Sequence, residues 1–264
     1  MNHIGRIGYI LLAVGLALGL AGFAMGGRPQ VDVEWNSLAP HLVAKKIVTE
    51  QYAVSREEKT TQNTSDIKNL DIELGGAEVT IKTGDAFGVQ ATDSDRYKEY
   101  FDGDTYHVIY DKGVRFWEDM SANAQYTITV PNYEYDDVQL TIGAGKMTVD
   151  GISCKTAVLE AGAGTLDVTN FKCTEDSTLT VGMGTLDYTG TLLGANSIEC
   201  GMGKVNLTLA TPADYGYTVD CGLGSVSIGN NNYSGIAAEV AINTQSDNVY
   251  NVDCGMGTVK IKFN

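Results

Sequence analysis

Apolar and polar residues alternate along most of the chain after residue 68, and the alternation is organised around a recurring Gly-x-Gly element. The element starts at six glycines, at intervals of 19, 20, 19, 21 and 33 residues: Gly143, Gly162, Gly182, Gly201, Gly222 and Gly255. Counted from this glycine, positions −3, +4 and +6 carry bulky apolar side chains, and −1 is also apolar. Positions −2, +3 and +5 are polar or charged in every copy.

A period of two predicts β-strands with one buried face, and the alternation changes phase at each Gly-x-Gly, which predicts a corner there. Glycine supplies the backbone freedom for such corners. The predicted corner glycines are Gly143, Gly145, Gly162, Gly164, Gly182, Gly184, Gly201, Gly203, Gly222, Gly224, Gly255 and Gly257.

A strand–corner–strand unit of this length cannot bury its apolar face alone, so the copies are expected to stack at ~4.8 Å intervals. We therefore predict an all-β fold, a β-solenoid whose rungs are strand–Gly-x-Gly–strand units. A β-sandwich is the alternative, because its strands alternate too, although they do not normally repeat one motif in one register.

Residues 69–84 (NLDIELGGAEVTIKTG) fit the template as a degenerate first copy, as terminal repeats often do. Further strand patterns follow before Gly143, with polar, aromatic-bearing excursions at 93–104 and 115–124. Residues 229–246 are predicted to form either an extra rung or a loop.

The last strand carries Lys260 and Lys262, which are predicted to point outward. Lysines on an exposed terminal strand discourage pairing with another solenoid.

The N-terminus differs from the rest of the chain. Residues 7–27 carry no charge and are long enough to span the ~30 Å hydrocarbon core of a bilayer as a helix. We predict a transmembrane anchor. The alternative is a cleaved signal peptide, for which Gly19 and Ala21 would form the small-x-small cleavage site.

These features divide the chain into three parts. The predicted parts are an anchor or uncleaved signal at 1–28, a polar stalk or linker at 29–65, and the solenoid at 66–264, with a degenerate first rung and cap at 66–133 and regular repeats at 134–264.

The chain carries a net charge of −15, which argues against nucleic acid or anionic lipid as a partner. Arg6 and Arg28 flank the apolar segment, so the positive-inside rule barely discriminates between orientations. The short N-terminal tail favours translocation of the large acidic domain. We predict a single-pass protein of the cell membrane with its C-terminal domain outside the cell.

The apolar segment, the stretch IKNLDIELGGAEVTI, the proline-ended strand in YTITVPNYEYDDVQLTIGAGKMTVDGI and the repeated copies resemble the putative-adhesin family of bacterial β-strand-repeat proteins. That family is related to Lia-type proteins of the cell-envelope stress response. The resemblance covers residues 65–264 and implies a membrane-attached, non-catalytic β-solenoid outside the cell. It supplies no functional residues.

The cysteines are candidates for chemistry. Cys200, Cys221 and Cys254 occupy position −1, where other copies have Ile, Ala or Val, so we predict small core residues. Cys154 and Cys173 share position +11. A disulfide between neighbouring rungs is one alternative.

A copper(I) column is another alternative, built from cysteines and the methionines between the corner glycines. That middle position holds Ala144, Ala163, Met183, Met202, Leu223 and Met256. Exchange with alanine and leucine indicates core filling, so no metal or cofactor is predicted.

Position −2 forms an outward row that ends in three acids, Glu199, Asp220 and Asp253. If their rungs are adjacent, these carboxylates could form a column for Ca²⁺ or another hard cation. A solvated charged face is the alternative, and the calcium-binding nonapeptide repeat is absent.

Tyr106, Phe116 and Trp117 lie in an aromatic-rich stretch that suits sugar or protein recognition. The alternative is that these aromatic residues cap the open N-terminal end of the solenoid.

No nucleophile, phosphate-binding or zinc motif occurs, and the histidines are scattered, so no catalytic residue is predicted. We predict a non-catalytic protein of the bacterial cell envelope that binds or senses a cell-wall polymer or an envelope protein. A β-helix carbohydrate-active enzyme with two placed carboxylates is one alternative. A structural spacer is the other.

Overall fold

The computed structural model describes residues 31–34, 41–44, 66–92, 97–110, 124–234 and 238–264. All the elements of these ranges are strands. They are β1 (Val31–Glu34), β2 (His41–Ala44), β3 (Asn69–Gly84), β4 (Gly88–Ala91), β5 (Tyr97–Asp102), β6 (Thr105–Tyr110), β7 (Gln125–Pro131), β8 (Glu134–Asp150), β9 (Ser153–Ala161), β10 (Thr165–Cys173), β11 (Ser177–Val181), β12 (Thr185–Leu192), β13 (Ala195–Cys200), β14 (Lys204–Leu209), β15 (Gly216–Cys221), β16 (Ser225–Ile228), β17 (Asn231–Ser234), β18 (Ala238–Ile242), β19 (Val249–Cys254) and β20 (Thr258–Phe263).

The predicted anchor at residues 7–27 lies outside the described ranges. Within those ranges, no helix is long and apolar enough to cross a membrane. Strands β1 and β2 fall in the predicted linker and pair antiparallel with each other.

The remaining strands form a solenoid-like sheet that winds around one core, as the repeat predicts. Strands that precede a corner pair in parallel and in register on a first face, where Leu159 lies between Leu140 and Leu179. Strands that follow a corner do the same on a second face, where Leu186 lies between Leu166 and Val205. On a short third face, the segments that connect the second face of one rung to the first face of the next pair with each other, for example Cys154 with Cys173.

The apolar positions of the repeat fill the interior. Ile198 at position −3 and Val205 at +4 are both 0% exposed, as are their equivalents in most other copies. Full burial of such a side chain contributes ~1.5–3 kcal/mol, so stacking the rungs supplies the stabilisation that one rung lacks.

The rungs at the C-terminal end are not stacked in chain order. Strand β19 lies between β13 and β15, and β20 lies between β14 and β16. The chain therefore leaves one position open when it passes from β14 to β15. It returns antiparallel as β17 and β18 on the outside, and then fills the open position with β19 and β20.

The order of the rungs at the C-terminal end tests two predictions made from the sequence. Residues 229–246 carry an extra rung, antiparallel to its neighbour. The prediction that the last strand forms the protected end is wrong, because β20 is paired on both sides. Lys260, for example, lies in register between Asn206 and Ser227.

The N-terminal end has the same arrangement in reverse. Strands β4 and β5 are outermost and antiparallel, β6 and β7 come next, then β3, then β8. If the rungs are numbered inward from the end of the stack, the chain here forms the third rung (β3), then the first (β4 and β5), the second (β6 and β7) and the fourth (β8). At the C-terminal end it forms the fourth rung (β13 and β14), then the second (β15 and β16), the first (β17 and β18) and the third (β19 and β20). The degenerate first copy is thus internal, and antiparallel strands cap both ends.

Candidate functional site

The Gly-x-Gly corners bring neighbouring rungs into close contact. In five of the corners the amide of the middle residue donates a hydrogen bond to the carbonyl oxygen of the first glycine in the adjacent rung, as from Met202 N to Gly182 O at 2.8 Å. A Cβ on Gly184, the second glycine of its corner, would lie 2.1 Å from the Gly164 carbonyl oxygen. In the first regular copy the corner is a bend within β8, and Gly145 there has a φ of +94°.

The middle residue of the corner points to solvent. The exposed fractions are 48% for Met183, 42% for Met202, 45% for Met256 and 60% for Leu223. These four residues, in this order on adjacent rungs, form what we call the apolar ridge. The interpretation that this position fills the core is wrong, because the corner turns the side chain between the glycines outward.

The cysteines lie in the core, as predicted, and all five are free thiols. Cys254 stands in register between Cys200 and Cys221, so the three thiols form a buried column. The hydrogen bond that the Cys254 thiol donates to Cys200, together with burial, raises the pKa of Cys254, and burial raises the pKa of Cys221 to about 11. Both thiols are therefore protonated at neutral pH and unreactive.

The methionines of the apolar ridge lie outside the sheet and the cysteines inside it, so the two sulfur types do not form a joint copper column. Among the residues that the structure describes, no three His, Cys, Asp or Glu side chains are placed to hold a metal ion.

Three acids of position −2 lie side by side on the first face. Glu199 is in register with Asp253, and Asp253 with Asp220. The antiparallel strand β18 adds Glu239 opposite Asp220. We call these four residues the acid row. Within the described part of the chain, no Lys or Arg is in salt-bridge contact with any of them.

The acid row faces water but its members repel one another. Burial, together with the charges of Asp220 and Glu199, raises the pKa of Asp253. Like charges at this spacing interact by ~1 kcal/mol per pair in a water-like dielectric, so a cationic partner would relieve a real repulsion.

A groove of about 640 Å³ runs along the acid row. Beside the carboxylates it presents a second row of polar side chains, in which Thr218 Oγ1 donates to Asn251 Oδ1 at 2.9 Å. The groove is lined by Ser197, Glu199, Thr218, Val219, Asp220, Glu239, Val240, Ala241, Asn251, Val252 and Asp253. It can therefore offer charge and hydrogen bonds to an elongated partner.

Sequence reasoning identified three of the four acids and missed Glu239. That residue falls outside the Gly-x-Gly template, and only the alternation in AEVAI at 238–242 indicates its strand. Cation binding by Glu199, Asp220 and Asp253 stays a prediction: the three carboxylates share one row, but among the described residues they do not converge as ligands of a single ion.

Of the three aromatic residues predicted to bind a partner, the structure describes Tyr106. Tyr106 is fully buried, with its ring centroid 4.6 Å from that of Phe87 and 5.0 Å from that of Phe101. Its hydroxyl donates to Glu99 Oε1 at 2.7 Å. Tyr106 therefore belongs to the cap of the N-terminal end and is not a binding residue. Phe116 and Trp117 lie outside the described residues.

The histidine of β6 is engaged structurally. His107 Nδ1 is 2.8 Å from Asp71 Oδ2, and its ring stacks on Tyr100 with centroids 4.7 Å apart.

Comparison with known proteins identifies a family for this chain and finds solved structures that are similar to it. The Toastrack DUF4097 family model matches residues 116–262. No curated protein is similar to the chain in sequence. A "putative cell adhesion protein" from Clostridium sporogenes is 14% identical over 76% of this chain and 95% of its own, with a TM-score of 0.42. A "putative adhesin" from Bacteroides fragilis is 13% identical over 74% of this chain and 91% of its own, with a TM-score of 0.32.

Proposed function

This chain belongs to the Toastrack DUF4097 family, and from that premise we propose that it is a non-catalytic binding protein of the bacterial cell envelope. Residues 7–27 hold it in the cell membrane, and the solenoid lies outside the cell. It acts by adhesion or by sensing envelope stress, and its partner is a cell-wall polymer or an envelope protein.

The observation that carries this proposal is the groove on the first face. It combines the acid row with a row of hydroxyl and amide groups in an open groove along the sheet. An open groove with regularly spaced polar groups suits an extended partner better than a small substrate, which is usually held in a deep, mostly apolar pocket. The acids favour a partner with positive charges and disfavour anionic polymers.

The test uses the full-length chain in nanodiscs of zwitterionic lipid. It is incubated with fluorescently labelled cell-wall fragments and, separately, with solubilised envelope proteins. Retention of an unaltered partner supports binding. New cleavage products would indicate the carbohydrate-active enzyme instead, and the absence of both retention and cleavage would indicate a spacer.

A triple variant, Glu199→Gln, Asp220→Asn and Asp253→Asn, should lose most of the retention and its dependence on salt. The matched control removes three acids from the second face, by Glu78→Gln, Asp167→Asn and Asp187→Asn. If both variants lose retention equally, the net charge of the protein explains binding, and the proposal that the groove binds the partner is contradicted. Protease digestion of intact cells tests the orientation, because an outward solenoid is accessible and an inward one is not.

A further inference from the structure

The acid row and the apolar ridge run side by side. In each of the rungs whose corners begin at Gly201, Gly255 and Gly222, the acid precedes the ridge residue by three positions. Glu199 thus accompanies Met202, and Asp253 accompanies Met256. The solenoid therefore presents a strip with carboxylates along one edge and apolar side chains along the other.

The ridge is a continuous apolar feature. Single exposed apolar residues are common on protein surfaces, but contiguous ones mark interaction sites. Here four long apolar side chains, all 42% exposed or more, occupy four adjacent rungs. The same position holds only Ala144 and Ala163 in the next two rungs, so the bulky part of the ridge ends at Met183, one rung beyond Glu199 of the acid row.

Charge selects the kind of partner. The chain carries a net charge of −15, so a second copy would bring its own acids against the acid row. An anionic lipid surface would be repelled in the same way. A partner that satisfies both edges of the strip must carry positive charges next to apolar groups.

We infer that the apolar ridge and the acid row together bind a basic amphipathic segment of a polypeptide. This inference rests on the proposed binding function and names the class of partner. The apolar side chains of the segment lie on the ridge, and its Lys and Arg side chains lie over the acid row.

The dimensions of the strip suit such a segment. Four rungs at ~4.8 Å intervals give a ridge ~14 Å long. A helix of about three turns, at ~5.4 Å per turn, places one apolar side chain near each interval. Methionine is flexible and polarisable, so three methionines allow the ridge to accept different apolar sequences.

The test measures fluorescence anisotropy of a labelled 16-residue amphipathic helix of Leu and Lys, with the full-length chain in nanodiscs of zwitterionic lipid. We expect the peptide to bind, and a scrambled peptide of the same composition to bind at least tenfold more weakly. Replacing the four ridge residues by Gln should weaken binding at least tenfold. The control variant, Ala144→Gln with Ala163→Gln, alters the same row outside the strip and should leave binding unchanged.

Methionine methyl resonances locate the contact. With ¹³C-methyl methionine, the peptide should shift the signals of Met183, Met202 and Met256, and leave that of the buried Met147 in place. The acid-row triple variant should weaken peptide binding and reduce its salt dependence.

Several results would overturn the inference. Equal binding of the amphipathic and scrambled peptides, or unchanged peptide binding by the ridge variant, would contradict it. A dimer that sedimentation detects and that the ridge substitutions abolish would show that a second copy covers the ridge. Binding of the protein to protein-free zwitterionic vesicles that is lost in the ridge variant would show that lipid covers it. Failure of the peptide to bind, with wall polymer or envelope protein still retained through the acid row, would refute this inference and leave the proposed function standing.

Discussion

Gly257 lies against the thiol of Cys200 in the neighbouring rung, so closely that a Cβ on Gly257 would stand 2.5 Å from the Cys200 Sγ. The next rung repeats the relationship, with 2.8 Å between a Cβ on Gly224 and the Cys254 Sγ. The second corner glycine therefore leaves the space into which the position −1 side chain of the neighbouring rung fits.

The substitution Gly257→Ala should lower the free energy of unfolding by ~1–3 kcal/mol, because the added methyl overpacks the corner. Urea denaturation measures the loss. The matched control is Gly76→Ala, since nothing lies within 4 Å of a Cβ there. Adding Cys200→Ala to Gly257→Ala should recover part of the loss, but not all, because the Gly203 carbonyl oxygen would still be 2.6 Å from the new Cβ. A fully stable Gly257→Ala protein would contradict the tight corner.

Hydrogen exchange should follow position in the stack and not position in the chain. Amides of β20, the last strand, are expected to exchange as slowly as those of β14, because both strands are paired on both sides. Amides of β17 and β18 should exchange faster, since these strands are outermost. Rapid exchange throughout β20 would show that the last rung is not inserted.

The acid row should make the protein less stable as the pH rises. The folded-state pKa of Asp253 is raised, by burial first and then by Asp220 and Glu199. The folded protein therefore holds this proton more tightly than the unfolded chain does. The associated stability is present below the unfolded pKa of ~4 and is lost as the pH rises through the folded pKa.

Replacing Asp253 by Asn removes that loss, so the variant should gain stability relative to the wild type between acidic and neutral pH. The control is Asp136→Asn. In the wild type, the hydrogen bond with Lys155 lowers the pKa of Asp136. The Asp136→Asn variant should therefore lose stability relative to the wild type as the pH rises, and the loss should be small because the site is exposed. Parallel pH curves for Asp253→Asn and the wild type would contradict repulsion within the row.

A buried polar pair interrupts the apolar core. Ser177 Oγ donates to Asn196 Oδ1 at 2.7 Å, and Asn196 Nδ2 donates to the Gly194 carbonyl at 3.0 Å. Asn196→Ala should cost ~1–3 kcal/mol, because it leaves buried groups unsatisfied. The double variant with Ser177→Ala should cost less than the sum of the single changes, and thermal melting of the four proteins measures this coupling. Additive losses would show that the two side chains do not interact.

The alternation was sufficient to predict the strands, the corners and the core. Leu159 and Val205 are buried because one residue in two must face inward on every rung, and no tertiary information is needed to see this. The side to which the middle residue of each corner points was harder to predict. Position +1 holds Ala, Met or Leu, which is compatible with either a core or an exposed site, and the phase change at the glycines hides which side it faces.

The order of the rungs could not be predicted from the sequence. Val219 and Val252 occupy the same position of the template, as do Cys221 and Cys254. Either rung therefore fits beside β13 equally well by local pattern. The acid row gained its continuity only from the inserted rung, because Asp253 stands between Glu199 and Asp220.

The out-of-order rung makes the presence of residues 249–263 a condition for closing the fold. An ordinary solenoid can grow rung by rung as it emerges from a ribosome or a translocation channel. Here the position beside β13 and β14 stays open until residues 249–263 are made, so a product truncated before them would leave β13, β14, β15 and β16 each without a neighbour on one side. Residues 249–263 are therefore a keystone of the sheet, because they join strands that would otherwise have no neighbours on that side.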